Sequence, residues 1–309
     1  MKMAKPLVSV IIPAYNHQRF IGEAIESVLG QSCSDLELII IDDGSTDNTA
    51  EVIKRYTDRR LSYYYQENQD AFNAINRGMG LAMGRYISIL NSDDVYTLDR
   101  LEKILDQIGD SVCVITDVIP IADNGVEFTD PEFGWNLWHH KNRAFYRQAD
   151  DIYTAFLKGN FMVTTSNLFM TAEAMHKTGK FCQLRYLHDY DYIFRLMLAF
   201  PGKVKYMYDD KLLYYRIHDG NTLGEAAITG RRQDQELITK YMLKKVPDDL
   251  HQYVIAGVER IAELERELGE VRQLLNPDLG AGGVRPAAKE LAAALKRWLK
   301  KKLGPGNEL

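Results

Sequence analysis

The chain has 309 residues, 46% of them apolar or aromatic, and a net charge of −5. That exceeds the usual single domain and is ample for a core, so one large catalytic-sized unit with an appendage is expected. The charge is uneven: residues 285–302 hold seven basic residues and one acidic, making a +6 tail on a −11 remainder, and an acidic body argues against nucleic acid as a partner.

Cys33, Cys113 and Cys182 are widely separated and show no metal-ligand or redox spacing, which points to a reducing compartment. "MKMAKP" runs straight into strand-like sequence, unlike a signal peptide, and no window reaches the length of a membrane span. The expected location is cytoplasmic.

In chain order, "LVSVIIP" (7–13) predicts a buried strand, "RFIGEAIESVLGQ" (19–31) a helix and "LELIIIDD" (36–43) a second strand. "STDNTAEVIKRY" (45–56) opens with helix-capping residues. A strand (61–66), a helix (70–84) and the strand "RYISILN" (85–91) follow. This alternation predicts an α/β fold, a mainly parallel sheet flanked by helices on both faces. Such a sheet binds ligands beyond the carboxyl ends of its strands. Three polar clusters emerge there: "PAYN" (13–16), "DDGS" (42–45) and "NSDD" (91–94). Any one alone reads as a turn; three on one rim read as a site. "GMGLAMG" (78–84) is glycine-rich, but it ends a helix and precedes a strand, whereas a nucleotide loop follows a strand and opens a helix. It reads as close helix packing with a stop at Gly84.

"VSVIIPAYNHQRFIGEAIESVLGQSCSDLELIIIDDGSTDNT", followed by "AINRGMGLAMGRYISILNSDD", resembles the family 2 inverting glycosyltransferases, which have the GT-A fold. The similarity is dense over 7–96 and looser over 97–225. It implies a nucleotide-sugar donor, most often a UDP-sugar, and a divalent ion, Mn²⁺ or Mg²⁺, which carboxylates and phosphate oxygens typically share. On that resemblance Pro13, Ala14, Tyr15, Asn16, Asp42, Asn68, Asn91, Ser92, Asp93 and Arg216 line the donor site. Tyr15 lies against the base and Asp42 accepts from the N3 hydrogen of a uracil. Asp93, Asp94 and His218 form the metal set, His218 by way of "YYRIHDGNT" (214–222). Asn91 stands where the family often has its first Asp, and Ile75 where many relatives carry Arg, leaving Arg77 nearby.

Inverting transfer needs a carboxylate that takes the proton of the acceptor hydroxyl. The family supplies it from a Glu-Asp pair at a helix start; here "LHDYDYIFRLM" (187–197) has His188 for the Glu and keeps Asp189 as the general base. Tyr192, Leu196 and Ala199 fall on one apolar face that anchors the first turn. The helix dipole there should lower the Asp189 pKa. "EFGWNLWHHKNRAF" (132–145) is aromatic and polar without clean periodicity, suited to bordering an acceptor sugar or covering the sheet edge. "NFMVTTSNLFM" (160–170) reads as a strand near the acceptor, with Thr165 and Ser166 as contacts.

These features divide the chain into a catalytic domain over 1–225 and a helical extension over 226–309. In the extension, Ile261, Leu264, Leu268, Val271 and Leu275 form a short heptad seam within 257–275 suited to homo-oligomerisation or to docking on the body. Residues 287–303 resemble a basic interfacial helix for peripheral membrane contact. The expected acceptor is a cell-surface glycan or a lipid-linked saccharide. A sugar nucleotidyltransferase would share the sheet but needs a glycine-rich basic loop after its first strand, and "PAYNHQRF" lacks it. A degenerate donor-binding scaffold is the non-enzymatic alternative, prompted by Asn91, Ile75 and His188.

Overall fold

The computed structural model describes residues 5–219 and 231–275. Met1–Leu237 forms one compact unit and Ile238 begins a second. The boundary expected at 225 lies outside the described residues, as does the basic segment 287–303.

The first unit is built on an eight-stranded sheet. In chain order its strands are β1 (Val8–Ala14), β2 (Leu36–Asp43), β3 (Leu61–Gln66), β4 (Tyr86–Ile89), β5 (Val95–Tyr96), β6 (Cys113–Ala122), β7 (Phe169–Thr171) and β8 (Val204–Ile217). They lie side by side as β3-β2-β1-β4-β7-β6-β8-β5. The first four pair parallel, as the alternation of strand and helix predicts. The remainder is mixed, because β7 enters antiparallel between β4 and β6, and β5 pairs antiparallel with β8. β1 and β4 are buried at every position, Ser9 and Ser88 included, as their mainly apolar sequences suit in central strands covered on both faces.

Helices α1 (Ile21–Leu29), α2 (Thr49–Ile53), α3 (Ala71–Leu81) and α4 (Arg100–Gln107) make the crossovers and turn Ile21, Ala24, Ile25 and Val28, among others, into the core. α3 lies so close to the sheet that a β-carbon on Gly78 would fall inside the Ile11 side chain, and one on Gly84 would strike the Ser9 backbone. Close packing is therefore what the glycine run provides. Ala71 to Leu81 is also shorter than the helix expected over 70–84.

Two segments depart from expectation. Residues 132–145 lie mostly in a fifteen-residue helix, α5 (Gly134–Gln148), whose buried residues are the polar His139 and Asn142. α6 (Ile152–Lys158) follows. Within 160–170, only Phe169 and Met170 belong to a strand; Thr165–Asn167 is a 3-10 turn, whose cap Thr164 accepts from Ser166 N. Side-chain hydroxyls there satisfy backbone groups locally, which competes with a sheet ladder. α7 (Ala172–Thr178) and α8 (His188–Ala199) complete the layer. Beyond it, helices run over Arg231–Leu243 and His251–Leu275. Among the described residues no helix is long and apolar enough to cross a membrane.

Candidate active site

The register of β1 and β2 sets Ala14 beside Asp42, so their loops leave the sheet together. A lattice of hydrogen bonds then ties them. Asn16 N donates to Ser45 Oγ at 3.0 Å, and Thr46 N to Asn16 Oδ1 at 2.7 Å. Gln18 N donates to Asp47 Oδ2 at 3.0 Å, and Asn48 N to Gln18 Oε1 at 2.9 Å. Asn16 adopts φ +52°, a conformation asparagine tolerates better than most residues. Pro13 and Ala14 are buried, whereas Tyr15 projects from the rim, 47% exposed. Asp42 is fully buried and accepts from Ser45 N at 2.9 Å and Tyr63 Oη at 2.8 Å. Asn68 borders this loop, with its backbone against Gly44. Ile75 is in the core, and Arg77 donates to Tyr65 O and Gln66 Oε1.

The loop after β4 joins the same rim through His17, whose Nδ1 lies 2.7 Å from Ser92 Oγ and whose backbone N–H bonds Thr49 Oγ1. His218, just past β8, places Nε2 3.1 Å from Asp93 Oδ2 and packs its ring on His17 and Phe20. His17, Asp93 and His218 thus each offer a ligand atom within 4.8 Å of the others. His17 carried no sequence signal beyond following "PAYN"; only folding brings it to Asp93. Burial, opposed by Asp93, aided by His218 and opposed again by Asp47, lowers the His17 pKa. That favours the neutral imidazole, the form that binds metal. Burial alone would raise the Asp93 carboxyl, but the His218 hydrogen bond and the His17 charge hold it below the usual value.

Asp94 does not join this group. Its carboxylate turns inward and accepts from Ser166 Oγ at 2.5 Å, Thr164 Oγ1 at 3.2 Å and Arg216 N at 3.0 Å. Burial and the Asp93 charge push it up to about 8. Arg216 is likewise buried, donating to Asp93 O, Ala122 O, Asp123 O and the Glu23 carboxylate. Both residues brace the loop that presents Asp93. Asn91 is held by the same turn, its N–H on Ser166 Oγ and its Nδ2 on Thr164 Oγ1.

That turn also reaches α8: Thr165 Oγ1 is 3.2 Å from Nε2 of His188, the residue before Asp189. Asp189 accepts from Tyr190 N at 2.7 Å. The helix start was expected to lower its pKa, yet burial, which outweighs the His188 charge and the backbone N–H groups, raises it. Asp234, early in the helix Arg231–Leu243, is raised by burial and by the Asp189 charge, so this later segment also feels the site. Sequence reasoning passed over it. Among the described residues, three of the four non-glycine residues with positive φ, Asn16, Val163 and Leu187, border these loops. Strained conformers persist where their surroundings over-determine them, and they concentrate at functional sites.

The glycosyl transferase family 2 model matches residues 9–171. An uncharacterized glycosyltransferase of Rickettsia typhi is 30% identical over 78% of this chain and 73% of its own. One from a Nostoc species is 31% identical over 74% and 70%. Among solved structures, S. aureus TarS 1-349 in complex with UDP-GlcNAc superposes with a TM-score of 0.59 at 16% identity, covering 96% of this chain and 81% of that one. The mannosyltransferase PcManGT of Pyrobaculum calidifontis, in complex with GDP-Man and Mn²⁺, gives 0.58 at 18% identity, with 96% and 81% covered. At such identities the likeness establishes a shared fold.

Proposed function

Because the chain belongs to glycosyl transferase family 2 and has the GT-A fold, we propose that it transfers a sugar, with inversion, from a UDP-sugar to a hydroxyl of a cell-surface glycan or lipid-linked saccharide. The observation that carries the reading is the Thr164–Ser166 turn, which bonds Asp94 and Asn91 on one side and His188 on the other. It joins the donor rim to the carboxylate proposed as base.

The base of the nucleotide lies against Tyr15, with Asp42 accepting its ring N–H. Asp42 already accepts from Ser45 N and Tyr63 Oη, so it is oriented before the donor arrives, and a carboxylate has lone pairs for a further bond. Asn16, Asn68, Asn91 and Ser92 complete the polar wall, with Pro13 and Ala14 contributing backbone. Arg216 acts from behind, by fixing the Asp93 carbonyl.

Asp93, His17 and His218 suit a divalent cation: one carboxylate gives charge and two imidazoles give nitrogen donors. In the tautomer that donates from Nδ1 to Ser92, His17 keeps a lone pair on Nε2. Nitrogen donors favour Mn²⁺ over Mg²⁺, which prefers an all-oxygen shell. When bound, the ion neutralises the charge that develops on the departing diphosphate. On the opposite side, Asp189 takes the proton of the acceptor hydroxyl as its oxygen attacks the anomeric carbon. The new C–O bond forms as the bond to the diphosphate oxygen breaks, and the nucleoside diphosphate leaves. Burial raises the Asp189 pKa, so its carboxylate, once ionised, is a stronger base than that of an exposed aspartate. The proposal extends to self-association through 257–275 and membrane contact through 287–303.

The test is nucleotide release from UDP- and GDP-sugars with Mn²⁺ or Mg²⁺. Release from a UDP-sugar that needs Mn²⁺, and falls at least about 100-fold in Asp93→Ala, is the expected result. No release from any donor, or equal release by Asp93→Ala, would overturn it.

A further inference from the structure

α5 leaves Trp138 40% exposed on the protein surface. Single exposed apolar residues are ordinary; what stands behind this one is not. The Trp135 ring packs against Trp138 at 6.0 Å and is stacked with His139 at 4.9 Å and Tyr215 at 5.7 Å. His139 is fixed in turn, its Nε2 2.7 Å from Asp117 Oδ1, and Asp117 also pairs with Arg143 at 3.0 Å. Asp117 sits where the register of β6 against β8 shifts, so the strand irregularity aims the carboxylate at α5. The array is rigid, and it is held by buried polar groups rather than by an apolar helix face.

Tyr215 connects this array to the active site. It precedes Arg216, whose N–H bonds Asp94 and whose Nε bonds Asp93 O. Burial and the charges of Asp94, Asp93 and Asp189 together lift its hydroxyl well above the ordinary value, so all three carboxylates lie within electrostatic reach. An aromatic path therefore runs from the site to an exposed indole. Beneath that indole, Trp135 Nε1 and His139 Nδ1 are buried without a hydrogen-bond partner among the described residues. Buried polar atoms left so are uncommon. His139 is only 6% exposed, and its free nitrogen is hydrogen-bonding capacity that the fold itself does not use.

We propose that Trp138, backed by the Trp135, His139 and Tyr215 rings, is the stacking platform for a pyranose ring of the acceptor. A pyranose matches this surface: its C–H face is apolar and suits an indole, and its edge carries hydroxyls that both donate and accept. A nucleobase would stack as well, but its phosphodiester would meet a strongly acidic body. The proposal rests on the glycosyltransferase reading, since it takes the occupant to be the acceptor of that reaction.

The test uses the full chain and an array displaying oligosaccharides of hexoses, N-acetylhexosamines and hexuronic acids, with UDP and Mn²⁺ titrations run in parallel. Trp138 is exposed, so its replacement leaves the core intact. Wild type is expected to retain at least one glycan class. Trp138→Ala loses about tenfold or more of that binding, roughly 1.4 kcal/mol, and Trp138→Phe keeps most of it, while UDP binding is unchanged in all three. Wild type retaining no glycan, or Trp138→Ala retaining as much as wild type, would overturn the proposal. Failure of wild type to bind UDP with Mn²⁺ would count against the donor reading instead, and the glycan comparison is read independently of it.

Discussion

Asp93 and Asp94 are adjacent, yet one faces two imidazoles and the other three internal donors. The resemblance implied both as metal ligands; the Thr164–Ser166 turn draws Asp94 inward and leaves Asp93 facing His17 and His218. A buried carboxylate with three donors cannot be removed cheaply, since each donor would be left unpaired at about 1–3 kcal/mol. Asp94→Ala is therefore expected to lower unfolding stability by about 3 kcal/mol or more, against a smaller loss for Asp94→Asn, both read by urea denaturation. Equal, negligible losses would mean that the turn does not depend on it. Asp189 makes a separate prediction. Its pKa is raised by burial, and the base must be ionised to work. Activity should therefore rise with pH along a limb centred above the ordinary aspartate value of about 4. A kcat/KM profile flat down to about pH 4 would contradict this. His17 and Asp234 are tied to Asp93 and Asp189 only through the fold, and nothing in their neighbours along the chain announces them.

Elements with a strong apolar period were legible. β1 and β2 fall where the alternation of apolar runs and helical segments places them, because burial on both faces leaves little freedom, and β3 falls there as a partly exposed edge strand. α5 was not legible as a helix: its inward residues are His139 and Asn142, so its amphipathy is polar against polar and has no hydrophobic signature. The stretch from Phe161 to Leu168 misled in the opposite sense. It is buried throughout, as a strand would be, but its hydroxyls fold it into a turn that serves Asp94 and Asn91. The glycine run was read correctly because its place, late in a helix and before a strand, leaves close packing as its use. Gly78→Ala should consequently lower stability by about 1–3 kcal/mol through overpacking against Ile11. Alanine otherwise favours a helix over glycine, so a gain in stability by chemical denaturation would refute the close approach.

At the scale of the molecule, the sheet brings together residues that are remote in sequence: His17 after β1, Asp93 after β4 and His218 after β8. The resemblance over 7–96 marked the loops that follow β1, β2 and β4, where motif and strand end coincide. The half built from 160–218 was less legible, because β7 inserts antiparallel and β8 pairs parallel with β6 through register shifts, neither of which short-range pattern encodes. In the second unit, Ile261, Leu264 and Leu268 lie exposed on the helix His251–Leu275, the arrangement that the proposed self-association needs. The central claim is that the donor rim and Asp189 serve one reaction from opposite sides. The most direct measurement pairs UDP-sugar affinity, titrated with Mn²⁺, with the transfer rate in Asp189→Asn. Affinity within about twofold of wild type and a rate lowered by at least about 100-fold is the predicted outcome. Undiminished transfer, or a loss of donor affinity that accounts for the whole loss of rate, would contradict it.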